Sequence, residues 1–130
     1  MSAFHVTGFD HIVLCVRDVA VTRDFYEQVL GMAAREERPG KYSLQFGANK
    51  ISLQEAATSP AIARDTVPGS GNFCLLSDMP VAKWRAHLAA QGVEIIDSGL
   101  RDGATGTIDS LYFNDPDGNL VEVSNLVERR

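Results

Sequence analysis

Two cysteines, Cys15 and Cys74, are all that 130 residues offer, too few for the disulfide framework of a small secreted scaffold. Long apolar runs are missing as well, and none approaches the ~20 residues of a membrane-spanning helix. Basic charge is scarce: twelve Lys and Arg stand against seventeen Asp and Glu, a formal net charge of −5. That balance excludes a nucleic-acid or anionic-membrane surface, since both need a basic footprint. The opening stretch MSAFHVTGFD has neither the charged nor the apolar region of a signal peptide. A soluble, cytoplasmic protein is the expectation. What is present is ordinary: 45% hydrophobic and 22% charged residues exclude wholesale disorder, and the length fits one domain.

Hydrophobic spacing divides the chain into two similar halves. His11 to Val16 is a short β-branched run that reads as a strand. Asp18, a capping residue type, precedes Val21, Phe25, Val29 and Leu30 at helical spacing, and Gly31 stands where helices stop. Three strand-like runs follow at about 32–37, 41–46 and 50–55, separated by Pro39-Gly40 and Gly47-Ala-Asn49. From Asn72 the order repeats: a strand over 73–76, a helix opened by Asp78-Met-Pro80 and ended by Gly92, then strands over 93–96, 107–113 and 119–124. Ser43-Leu-Gln-Phe46 even matches Ser110-Leu-Tyr-Phe113, and one extra residue in the Asp115-Pro-Asp-Gly118 turn sets Gln54 opposite Glu122. The predicted fold is α+β: two β-α-β-β-β modules, at about 8–56 and 72–126, joined by 57–71 within one domain of residues 1–130.

Strand side chains alternate between faces. Ile12, Leu14 and Val16 share one face, with Leu44, Phe46, Leu111, Phe113, Val121 and Val123 on the equivalent faces of later strands. This apolar side should lie under the helices. The opposite side is mixed, carrying His11, Gln54, Asn72, Tyr112 and Glu122. A mixed face can simply meet solvent. If the two modules curve together, it lines a shared concavity, where a histidine, a carboxylate and amide oxygens suit a divalent cation. Glu122 lies mid-strand between Val121 and Val123, where an unpaired charge is costly. Cys15 and Cys74 can also reach the mixed face, although small buried thiols are the plainer reading.

The segments Phe9-Asp-His-Ile-Val-Leu-Cys-Val-Arg-Asp18, Phe25-Tyr26, Leu30-Gly-Met32 and Tyr112-Phe-Asn-Asp-Pro-Asp-Gly-Asn-Leu-Val-Glu122 resemble the vicinal oxygen chelate superfamily. Glyoxalase I, extradiol dioxygenases, fosfomycin-modifying enzymes and bleomycin-resistance proteins belong to it. Arg101-Asp-Gly-Ala-Thr-Gly106 followed by Glu122-Val-Ser-Asn125 is similar to an uncharacterised glyoxalase-domain subgroup. The resemblance implies a cupped sheet around a divalent metal (Zn, Ni, Mn or Fe), and a homodimer with sites near the subunit interface. It puts His11 and Glu122 at the first and last ligand positions and Gln54 at a third. The fourth falls at Asn72 or Gly71, depending on whether Gly92 is aligned with Gly31 or Asp78 with Asp18.

Asn72 or Gly71 replaces the histidine expected there, and each reaction class loses something by it. Non-haem iron chemistry wants two histidines and a carboxylate, and His5 and His87 lie outside the ligand positions. Proton abstraction next to a carbonyl needs a carboxylate base, and Glu122 is the one carboxylate available. Arg101, Tyr112 and Asn72 are the candidate substrate contacts, Arg101 through a bidentate clamp on an anion. Arg101 is expected in a Gly-rich loop over 98–106. Two functions fit: a metal-assisted enzyme acting on a small oxygenated molecule, with Glu122 catalytic, or a metal-free protein that sequesters a small drug-like ligand.

Overall fold

The computed structural model describes residues 3–58 and 63–130, so residues 59–62 of the expected linker lie outside the described residues. The first module runs β1 (His11–Val16), α1 (Val19–Leu30), β2 (Ala33–Arg38), β3 (Lys41–Phe46) and β4 (Asn49–Glu55). The second runs β5 (Asn72–Leu76), α2 (Val81–Ala90), β6 (Asp97–Asp102), β7 (Gly106–Asn114) and β8 (Leu120–Arg129). Each forms a four-stranded sheet, in the orders β1-β4-β3-β2 and β5-β8-β7-β6. The β1–β4 and β5–β8 pairs are parallel and the others antiparallel. Both sheets are mixed, and the two modules repeat the same β-α-β-β-β order.

Local chemistry accounts for the helix ends. The Asp18 side chain accepts a hydrogen bond from the Val21 N–H at 3.1 Å, and Gly31 closes α1 with a left-handed φ of 66°. Pro80 has no side chain able to cap α2. Its place is taken by Asn125 of β8, whose Oδ1 accepts from the Val81 N–H at 2.8 Å. No helix among the described residues is long and apolar enough to cross a membrane.

The sixth strand departs from expectation. Val93 to Ile96 is a connector, and the strand begins at Asp97. Val93 and Ile95 turn into the core from this connector, which explains their apolar character without a sheet. The strand itself, Asp-Ser-Gly-Leu-Arg-Asp, is a polar edge strand. Its place is set by the turn after Asp102, closed by the Gly103 N–H donating to the Gly106 carbonyl at 2.8 Å. Edge strands are often charged in this way. Arg101 is therefore a strand residue, paired with Ile108, and not part of a loop.

The apolar faces of both sheets meet in one core. Leu14, Val16, Leu44, Ile51, Leu111, Phe113, Val121 and Val123 are buried there together with Tyr26 and Val29 of α1 and Leu88 of α2. Polar bonds cross between modules at its edge. The Tyr26 hydroxyl donates to Asp115 Oδ2 at 2.7 Å, and Arg17 pairs with Asp117 at 3.1 Å. Burial, then the Asp115 charge and hydrogen bond, push the Tyr26 phenol far above its ordinary 10.0. The unfolded chain loses this proton near pH 10 while the folded chain keeps it, so stability falls as pH rises beyond 10. The slope is about 1.4 kcal/mol per pH unit. Tyr26→Phe should abolish that slope, read as urea-unfolding midpoints between pH 9 and 11.

Candidate functional site

Ladder register decides which polar side chains meet on the side of the second sheet facing away from the core. Cys74 stands beside Glu122 and Glu122 beside Tyr112, one from each of β5, β8 and β7. Adjacent strands are about 4.8 Å apart, so these three form a row. One step along, Ser124 stands beside Ser110. Val121 and Val123 go to the core, and alternation leaves Glu122 between them on the cup side, half-buried.

Both serines are fully buried, and buried hydroxyls need partners. Ser110 donates to Glu122 Oε2 at 2.5 Å. The Ser110 and Ser124 oxygens are 2.7 Å apart, and the Cys74 sulfur lies 3.3 Å from Ser124 Oγ. A continuous hydrogen-bonded chain thus runs from the thiol to the carboxylate.

Arg101 completes the cup from β6. Its guanidinium carbon is 5.3 Å from the Tyr112 ring centroid, Nη2 pairs with Asp97 at 3.3 Å, and Nη1 donates to the Leu100 carbonyl at 2.9 Å. A glycine makes room for it. Gly99 has φ 144°, and a Cβ there would lie 2.6 Å from Arg101 Nη1. The atom displaced is the tip of a flexible chain, so Gly99→Ala should redirect Arg101 more than it unfolds the protein. Calorimetry should show it weakening an anionic ligand nearly as much as removal of Arg101 does, with a stability loss of about 1–3 kcal/mol from the strained backbone at φ 144°.

The Tyr112 phenol is held above its ordinary range, first by burial and then by Glu122, against a smaller opposing pull from Arg101. It therefore stays a hydrogen-bond donor at neutral pH. Cys74, Arg101, Ile108, Tyr112 and Glu122 line a cavity of about 540 Å³, within the usual range for small-molecule sites. Such an arrangement can fix an anion with Arg101, donate to an oxygen from Tyr112 and take a proton at Glu122.

The remaining sequence candidates sit elsewhere. His11 and Asn72 line a neighbouring cavity of about 680 Å³, which shares Cys74 and Leu76 with the first. His11 Nδ1 is 2.8 Å from Asp10 Oδ2. Gln54 stands beside Cys15, as Glu122 stands beside Cys74. His11 is partnered instead by Lys50, so about 13 Å of strand separate it from Gln54. A zinc-type ion needs its donors at about 2.0–2.3 Å. In one chain His11, Gln54 and Glu122 do not converge on such a point. Among the described residues no group of three or more His, Cys, Asp or Glu side chains is placed to hold an ion. The donor set of a single chain does not fit a metal centre. Ser110 and Ser124 were not among the sequence candidates, and Cys74, read there as a small buried thiol, is exposed on the cup side. The one signal of the serines was strand parity with Glu122 and Tyr112.

A profile of the Glyoxalase/Bleomycin resistance protein/Dioxygenase superfamily matches residues 8–123. Virulence protein STM3117 of Salmonella typhimurium is 41% identical over 125 residues, covering 94% of this chain and 86% of that protein. Its crystal structure superposes with a TM-score of 0.90 over 95% of this chain and 100% of that one. Glyoxalase domain-containing protein RDO1 of Mycosarcoma maydis is 35% identical over 122 residues, 92% of this chain and 69% of its own length. The fold extends to FosX of Listeria monocytogenes, crystallised with Mn(II) and sulfate. It has a TM-score of 0.68 at 20% identity, covering 95% of this chain and 93% of that one. With the repeated modules, the Asp115-Pro-Asp-Gly118 turn and Glu122 in the cup behind it, these matches leave one assignment: the chain belongs to the glyoxalase/bleomycin resistance protein/dioxygenase superfamily.

Proposed function

We propose that the chain is a small-molecule enzyme that moves a proton at a carbon next to a carbonyl, with a small oxygenated anion as substrate. One observation carries this reading: Arg101, Tyr112 and Glu122 line the same cavity. Arg101 holds the substrate carboxylate. Glu122 is the general base, and Tyr112 donates to the enolate oxygen as charge develops there. Asn72, across Cys74 in the adjoining cavity, meets the far end of longer ligands. No step is routed through a metal.

Pyruvate supplies the test, by calorimetry for binding and by loss of its methyl protons in D2O for turnover. Arg101→Ala should weaken pyruvate about 10–100-fold, the worth of a charged hydrogen bond. Equal affinity in the variant would remove Arg101 from the site.

A second reading keeps a divalent metal on His11, Gln54 and Glu122, supported by the Mn(II) found with FosX. It requires a rearrangement or a second copy to bring the donors together. Phe9, Val13 and Leu76 are exposed beside His11, which supports a homodimer covering that face. Titration with Mn, Zn, Ni and Fe(II) salts separates the readings. The metal-free reading expects wild type and Glu122→Ala to behave alike. Stoichiometric binding that disappears in Glu122→Ala would restore the metal-assisted enzyme.

A further inference from the structure

The hydrogen-bonded chain from Cys74 to Glu122 has a direction. An ionised Glu122 can only accept, so the Ser110 proton points to it, at 2.5 Å. The Ser124 proton then goes to the Ser110 oxygen across 2.7 Å, with Glu122 Oε2 a longer alternative acceptor at 3.5 Å, and both arrangements leave the Ser124 oxygen facing the Cys74 sulfur at 3.3 Å. The thiol proton is therefore aimed inward, with the backbone carbonyl of Leu75 a weaker alternative at 3.9 Å. Sulfur lone pairs are left towards the cavity that Arg101 and Tyr112 line. Cys15, the other thiol, is buried and has no such chain among the described residues.

We propose that Cys74 is a nucleophile that adds reversibly to the carbonyl carbon of a small aldehyde or 2-oxo acid, with Ser124 and Ser110 relaying its proton to Glu122. The inference rests on the cup being the ligand site, as proposed above. In the step, an S–C bond forms while the carbonyl π pair moves to oxygen. The thiol proton passes to Ser124, that of Ser124 to Ser110, and that of Ser110 to Glu122. Tyr112 gives its proton to the new alkoxide and recovers one from Glu122. The sum is thiol plus carbonyl giving a hemithioacetal or hemithioketal, and nothing is oxidised or reduced. Burial raises the Cys74 thiol above its ordinary range, the hydrogen bond to Ser124 offsets part of that, and Glu122 adds a smaller upward push. A thiol that holds its proton at neutral pH is a weak nucleophile until a base takes it, and the relay supplies that base without exposing it.

Glyoxylate tests the step, because it is an anionic aldehyde with no proton to lose at the neighbouring carbon. Full-length protein is mixed with glyoxylate carrying 13C at the aldehyde carbon, and calorimetry is run in parallel. The expected result is a protein-bound resonance distinct from the free hydrate, absent in Cys74→Ala, while Cys74→Ala still binds glyoxylate in the calorimeter. Ser124→Ala should slow exchange between free and bound resonances about tenfold or more at pH 7. Raising the pH should restore much of the loss, a response that mere loosening of the cup would not give. Glyoxylate binding without a bound resonance, or a resonance that survives in Cys74→Ala, would overturn the nucleophile and leave the ligand site standing. No binding in either assay would overturn both.

Discussion

Asp115→Ala should lower the melting temperature by roughly 10–20 °C, the equivalent of about 3–5 kcal/mol in a domain of this size. Asp115 is buried, and four donors converge on its carboxylate. Tyr26 gives its hydroxyl proton at 2.7 Å and Asn119 its Nδ2 proton at 2.8 Å. The backbone N–H groups of Asp117 and Asn119 each donate at 2.9 Å. Removing the acceptor orphans all of them in or near a closed core, where each unmade bond costs about 1–3 kcal/mol. Through Tyr26 the same carboxylate ties the first module's helix to the second module's β7–β8 turn, and that turn feeds the strand carrying Glu122. Asp115→Asn keeps the acceptor oxygens in part and should recover about half the loss. Thermal melts of both variants measure it, and a fall below about 3 °C in Asp115→Ala would mean that this carboxylate does not hold the modules together.

Glu122→Gln should slow the exchange of pyruvate methyl protons by about 10²–10⁴-fold while leaving pyruvate bound as tightly as before, or more tightly. The two effects have opposite causes. Turnover falls because an amide cannot take the proton. Affinity holds because the variant removes a negative charge from the cavity in which Arg101 receives an anion. Glutamine also offers Ser110 an acceptor in the same place, so the serine pair keeps its geometry. A drop in affinity with exchange unchanged would make Glu122 a structural residue and leave proton abstraction without a base.

Local patterns in the sequence account for most of the fold. The α1 boundaries follow from Asp18 and Gly31, whose chemistry acts over one turn and is visible without tertiary context. The core faces follow from alternation in Ile12-Val-Leu-Cys-Val16 and Leu120-Val-Glu-Val123, because a half-buried strand must segregate its side chains. β6 escaped because it is a polar edge strand. Its neighbour segment, Val93 to Ile96, has the apolar look of a strand yet sends side chains into the core from a connector.

The site was legible residue by residue more than as an assembly. Glu122 and Tyr112 stood out from parity and charge, and the structure makes them ladder neighbours. The serine relay depends on which residue of β7 faces which residue of β8, a non-local fact fixed by the length of the Asp115–Asn119 turn. A serine in mid-strand carries no signal of its own. Gln54 shows the converse. It shares a face with His11 by parity, but the parallel register of β1 and β4 sets it beside Cys15, too far along the strand to share an ion with His11.

Amide chemical-shift mapping of 15N-labelled protein titrated with pyruvate tests most directly whether the cup of the second module is where a ligand binds. Shifts concentrated at Cys74, Arg101, Ile108, Tyr112 and Glu122, and lost in Arg101→Ala, are the predicted result. Shifts confined to His11, Lys50 and their neighbours in the adjoining cavity, or none at millimolar pyruvate, would contradict it.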